Sequence, residues 1–228
     1  MKKIVLVIVV GLMIYGCRSK NYKRNSNIIV VNDVEILIPL LDNQFIKLDG
    51  DLFKSFAKIE YPQRLYSCYL DTLDYKMYVN NRPDKVKSDR YLEILNDPEF
   101  DFNNNIQLSF SNLKPLIIKS FSIDTNNINV DSLKILNNLN DTINKSENNV
   151  SFLNKILFIK DNIISILTLN YNPSDMKSSK QIHVRNYIYV KKQLIVAEVN
   201  CNYYEIKDYN WAINFSETWA KSILEANK

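Results

Sequence analysis

The chain has 228 residues, 46% of them apolar, which is enough for one sizeable core and too apolar for a disordered chain. Its formal charge is +4, but six cations and no acid fall within residues 1–27; residues 28–228 are therefore at −2, which argues against a nucleic-acid-binding domain, since that would need a basic face of its own. Only one of the three glycines, Gly50, lies beyond residue 16, which excludes GxGxxG, the P-loop and the GxSxG elbow, all built on glycines where the backbone approaches a ligand or turns sharply.

Met1-Lys2-Lys3 opens the chain, and an apolar run extends from Ile4 to Tyr15, interrupted only by Gly11. Basic residues followed by a short apolar stretch form a secretory-signal pattern, and about 12 residues fall short of the roughly 20 that a spanning helix needs. The run ends in Ile14-Tyr15-Gly16-Cys17, which resembles the bacterial lipobox: a branched apolar residue, a small residue directly before the cysteine, and the cysteine itself. Tyr15 is the one departure from that pattern. The resemblance implies that residues 1–16 are a lipoprotein signal peptide and that Cys17 carries lipid on its thiol. It also implies a lipid-anchored protein of the bacterial cell envelope, placed on the outer membrane facing the periplasm. Residues 17–27 lack apolar periodicity and read as a flexible basic tether. Its Arg18, Lys20, Lys23 and Arg24 either favour anionic headgroups or simply keep the segment soluble.

From residue 28 to 228 the pattern predicts a single globular α+β domain. Ile28 to Leu41 reads as two short strands joined at Asn32-Asp33. Asp51 to Tyr61 carries Leu52, Phe53, Phe56 and Ile59 at helical spacing, with Asp51 as cap and Pro62 as stop. Strands are expected over 64–70, 75–79 and 90–95, with a polar loop over 80–89. Ser109 to Phe121 predicts a helix in which Pro115 is tolerable only in the first turn. A second amphipathic helix is expected over 130–143 and a polar loop over 144–149. Two hairpins follow, turning at Lys160-Asp161-Asn162 and Lys191-Lys192-Gln193. In the last strand Ile195, Ala197, Val199, Cys201 and Tyr203 share one face, while Glu198, Asn200 and Asn202 share a second face expected to meet solvent. From Trp211, the residues Trp211, Phe215, Trp219 and Ile223 recur at every fourth place and must dock on something apolar. The expected architecture is one antiparallel sheet with helices packed on one face and a C-terminal amphipathic helix. This element order, over roughly residues 33–226, resembles the PsbP-like and DcrB-like architecture. It does so without any specific motif, and the resemblance implies a non-enzymatic accessory or binding role.

Candidate sites are few. Cys68 and Cys201 lie in predicted strands, both on the apolar face, where burial as two small residues is the simpler reading and an exported location permits a disulfide. His183, the single histidine, falls opposite Ile182 and Val184; it reads as a solvent-side strand residue, since a general base would need partners that the spacing does not reveal. Asp97, Glu99, Asp101, Asn103 and Asn105 alternate like a calcium loop, but Phe102 stands where that loop needs glycine, so a solvated acidic loop is expected. Tyr61, Tyr66, Tyr69, Tyr75, Tyr78, Tyr187, Tyr189, Tyr203, Tyr204 and Tyr209 read mainly as sheet and core residues, with a minority left for an interface. Two function classes follow. One is a non-catalytic binding or accessory protein of the envelope, without metal or cofactor, its partners being the membrane through lipid on Cys17 and an envelope protein. The alternative is an envelope hydrolase with a carboxylate or single-His site.

Overall fold

The structure, a computed structural model, describes residues 26–41, 43–54, 65–81, 89–95, 109–121, 151–171 and 180–228. The segment expected to be a signal peptide, Cys17, nearly all of the expected tether, most of the helix expected over 51–61, the acidic loop expected at 97–105, and the helix and loop expected over 130–149 lie outside the described residues.

Nine strands are described: β1 (Ser26–Val31), β2 (Val34–Pro39), β3 (Phe45–Lys47), β4 (Leu65–Asp71), β5 (Arg90–Leu95), β6 (Ser151–Lys160), β7 (Ile163–Tyr171), β8 (Lys180–Val190) and β9 (Gln193–Asn202). The helices are α1 (Thr72–Asn81), α2 (Phe110–Ser120) and α3 (Ile206–Ala226). Seven strands form one antiparallel sheet in the order β3-β4-β5-β9-β8-β7-β6, and β1 and β2 pair as a separate hairpin. The protein is thus α+β, with the C-terminal helix packed on the sheet. Left-handed residues close the tight turns: Asn32 and Asp33 (φ 48° and 64°), and Lys191 and Lys192 (φ 48° and 63°). That handedness matches the twist of the strands it joins. Asn and Asp tolerate it readily, whereas it costs an ordinary L-residue roughly 1 kcal/mol or more.

One face of the sheet is apolar. Ile182, Val184 and Ile188 of β8, Ile195, Ala197 and Val199 of β9, and Leu92 and Ile94 of β5 share a core with α3 and with Ile29, Val31, Ile36 and Ile38 of the hairpin. On α3, the small residues Ala212, Ser216 and Ala220 recur at every fourth place, all buried, so that helix and sheet approach closely. At that contact Asn186 Nδ2 donates to Ser216 Oγ at 2.6 Å. Trp219 is fully buried, lies edge-on to Tyr69, and donates its Nε1–H to the Pro39 carbonyl at 2.9 Å. Asn227, just past α3, accepts from Leu37 N–H and returns a donor to the Leu37 carbonyl, which fastens the hairpin to the helix end.

The opposite face is covered as well, and here the expected layering needs correction. α2 lays Leu113 and Ile117 on Ile164, Ile166, Tyr187 and Val196, so helices pack on both faces rather than one. β9 is consequently buried on both of its alternations: Glu198 and Asn200 are 4% and 1% exposed, not solvent-facing. Three local readings also change. The strand expected at 75–79 is part of α1, because Asp71 Oδ1 accepts from Leu73 N–H and caps a helix there. Pro115 lies in the second turn of α2, where Ser111, whose carbonyl its ring nitrogen cannot reach as a donor, is exposed to water. α3 starts at Ile206, well before Trp211, because Asp208 Oδ2 reaches back to the N–H groups of Tyr204 and Glu205.

Candidate functional site

The face under α2 changes character along the strands. Register places Cys68, Glu93, Glu198, Arg185 and Ile166 in one row across β4, β5, β9, β8 and β7, and Tyr91, Asn200, His183, Thr168 and Asn154 in the next row, across β5, β9, β8, β7 and β6. Side chains at paired positions stand on the same face, so these two rows form a polar stripe beside the apolar patch that α2 covers. Asn200 organises it. Its Nδ2 donates to Glu93 Oε2 at 3.0 Å, which turns its Oδ1 toward His183 Nδ1 at 2.5 Å. Glu198 Oε1 lies 3.3 Å from the same nitrogen, and Glu198 Oε2 accepts from Arg185 Nε at 2.5 Å. Both neighbours of His183 Nδ1 are acceptors, so that nitrogen carries a proton. Farther along, Thr168 Oγ1 donates to Asn154 Oδ1, and Asn154 Nδ2 to the Phe121 carbonyl at the end of α2. Burial works to raise the pKa of Glu198, but the Arg185 guanidinium and His183 outweigh it and hold the carboxyl well below its ordinary value.

A second polar region lies where strands end. A cleft of about 260 Å³ is lined by Gln44, Asp71, Leu73, Asp74, Asp89, Arg90, Asn202, Tyr204 and Asp208. Its groups are held by one another. Arg90 bonds Asp208 at 2.9 Å and stacks its guanidinium 4.3 Å from the centre of the Trp211 ring. Asp89 Oδ1 accepts from Asn202 Nδ2 and Tyr204 Oη, and Asp71 Oδ2 accepts from Gln44 Nε2. Burial opposes the charge on Asp208, but Arg90 and the helix N–H groups prevail and keep its carboxyl below the usual range. Leu73 and Tyr204 stand largely exposed at the rim.

The sites expected from sequence separate clearly. Cys68 and Cys201 are both buried, and no disulfide joins them. Cys68 packs with Leu48 and Leu70 on the polar-stripe face, whereas Cys201 belongs to the apolar core on the other face. Side chains that leave opposite faces of one sheet cannot be bridged, so the disulfide is not formed. Burial pushes the Cys201 thiol up to about 11, which keeps it protonated and inert. His183 is on the face expected for it, but bound into the stripe rather than facing solvent. Tyr69 and Tyr187 are core residues, while Tyr204 is exposed. Trp211, Phe215 and Trp219 form a continuous ring stack that also takes in Phe45. Glu93, Arg185 and Arg90 were not singled out by the sequence, because only strand pairing brings Glu93 and Arg185 to Glu198. Among the described residues there is no group of three or more His, Cys, Asp or Glu that could hold a metal ion, and no helix long and apolar enough to cross a membrane. No known family model and no curated protein sequence matches the chain.

Proposed function

We propose that this chain is a lipid-anchored protein of the bacterial envelope whose domain binds a partner without catalysis. The observation that carries the proposal is Ile14-Tyr15-Gly16-Cys17 at the end of a short apolar run, with β1 beginning nine residues after Cys17. The terminal cleft supports the binding half of the reading: its polar groups are pre-oriented by their own partners, and Leu73 and Tyr204 offer apolar area at its rim. The kinship with PsbP-like and DcrB-like proteins is part of this proposal and rests on element order. Metabolic labelling with a fatty acid tests the anchor. Wild-type protein takes up label and Cys17→Ser does not, whereas Cys68→Ala and Cys201→Ala label normally. Equal labelling of Cys17→Ser, or none in the wild type, refutes it.

One contact favours the alternative, an envelope hydrolase. A carboxylate and an amide oxygen at His183 Nδ1 fix the ring and its tautomer, as they would for a general base working through Nε2. Products released from isolated envelope polymers by the wild type, and lost in a His183→Ala protein that is still folded at the assay temperature by circular dichroism, would establish that reading.

A further inference from the structure

We infer that the outward face of the β1–β2 hairpin is a membrane-contact surface, seated on anionic phospholipid; this rests on the anchor proposed at Cys17. The hairpin alternates cleanly. Ile29, Val31, Ile36 and Ile38 point into the core, 5% exposed or less, while Ile28 and Val30 point away from it and are 52% and 57% exposed. Leu37 pairs with Ile28 and is half-buried on the same side, and Glu35 pairs with Val30. Two β-branched aliphatic side chains held outward on one short strand are costly in water, and in chain order they are the first apolar side chains of the described fold.

The length of chain before β1 says what covers them. Nine residue steps separate Cys17 from Ser26, at most about 30 Å fully extended. A domain of this size is roughly 40 Å across. The tether is therefore shorter than the domain is wide, and a lipid on Cys17 draws the β1 side, not the α2 side, toward the bilayer. The tether carries Arg18, Lys20, Lys23 and Arg24 and no acid, which suits an anionic surface. Glu35 and Asp33 are the acids near the hairpin tip, and Lys191 bonds the Glu35 carbonyl through its ammonium. Lys191 offsets one of these two charges, and the attraction comes from the tether and from Ile28 and Val30. Anchor, cations and aliphatic strand act as joined weak contacts, each raising the local concentration of the next.

The test uses full-length lipidated protein on vesicles of phosphatidylglycerol and phosphatidylcholine. An environment-sensitive fluorophore is placed by Ile28→Cys or, as control, by Leu116→Cys, an exposed residue of α2 on the far side of the sheet. Cys68 and Cys201 are buried, so the reagent reaches the introduced thiol. The expected result is a blue shift at position 28 and loss of most of its emission to a quencher carried on the lipid, with neither change at position 116. Protein that floats with the vesicles while position 28 stays as aqueous as position 116 overturns the surface and leaves the anchor standing. Protein that incorporates no fatty acid and does not float overturns both. Shielding of position 28 that persists in detergent and grows with protein concentration means that β1 meets a second copy of the chain, which also overturns the proposal.

Discussion

Along β9, residues 195, 197, 199 and 201 press into the apolar layer shared with α3, while 198 and 200, equally buried, point the other way and bond Glu93, His183 and Arg185. The two faces are held by different physics. The α3 face is stabilised by the apolar area it removes from water, a term that tolerates small shifts and falls smoothly as side chains shrink. The polar stripe contributes little from area. It is held by the hydrogen bonds and the ion pair that link Glu93, Asn200, His183, Glu198 and Arg185, and removing one member breaks bonds made by buried neighbours. Depth of burial alone therefore does not tell how a position will respond to change.

The largest expected effect is on the apolar face. Trp219→Ala removes a fully buried ring, its edge contact with Tyr69 and the donor to Pro39, and should cost about 3–5 kcal/mol, read as a large drop in urea midpoint. On the polar face Glu198→Gln keeps the shape and removes the charge, and should cost roughly 2 kcal/mol. Should Glu198→Leu prove more stable than wild type instead, the stripe is kept for function at the expense of stability, which would strengthen the case for chemistry at His183. The same pair predicts a pH dependence. The folded pKa of Glu198 lies below its ordinary value of 4.5, so the unfolded chain binds more protons in that range. The stability from Glu198 is then complete above about pH 5 and is lost as pH falls through the acid range toward about 2. Wild-type protein should lose more of its urea midpoint between about pH 5 and pH 3 than Glu198→Gln does.

Smaller effects sharpen the picture. Lys192→Gly relieves a left-handed lysine at the β8–β9 turn and should raise stability by roughly 0.5–1 kcal/mol in thermal melts. Smallest of all, a reducing agent should leave the melting temperature unchanged, because Cys68 and Cys201 belong to opposite faces; a drop would mean that the two faces are covalently linked after all.

The strands were the most legible part of the sequence, because period-two alternation and Asn, Asp and Lys turns are local signals: the strand at 90–95 matches residue for residue, and both expected hairpins form. α1 was misread because Tyr75, Met77 and Val79 alternate like a strand, while the cap that decides the matter is Asp71, outside that window. The stripe was hidden for a different reason. Glu198 and Asn200 look like solvent-facing residues until β5, far away in sequence, supplies Glu93 and β8 supplies His183 and Arg185. Pairing between distant strands leaves no mark in one sequence window. The cleft was equally invisible, since Asp71, Arg90 and Asp208 come from β4, β5 and α3, and Gln44 from the loop before β3.

The strand order carries a consequence for how the chain reaches its native state. β3-β4-β5 and β9-β8-β7-β6 are each built from neighbours in sequence, and they join at a single seam, where Arg90 meets Cys201 about 110 residues later. In the C-terminal four strands β6 and β7, and β8 and β9, are joined by two-residue turns, and every pairing is between neighbours in sequence, a low-contact-order unit that should assemble early. The N-terminal strands leave the ribosome and any translocon first, yet β5 has no partner on that side until β9 arrives last. For that interval it presents an open edge, the form of backbone most prone to pair with another chain. Folding of this protein should therefore be limited by closure of the β5–β9 seam, and its aggregation by how long that seam stays open.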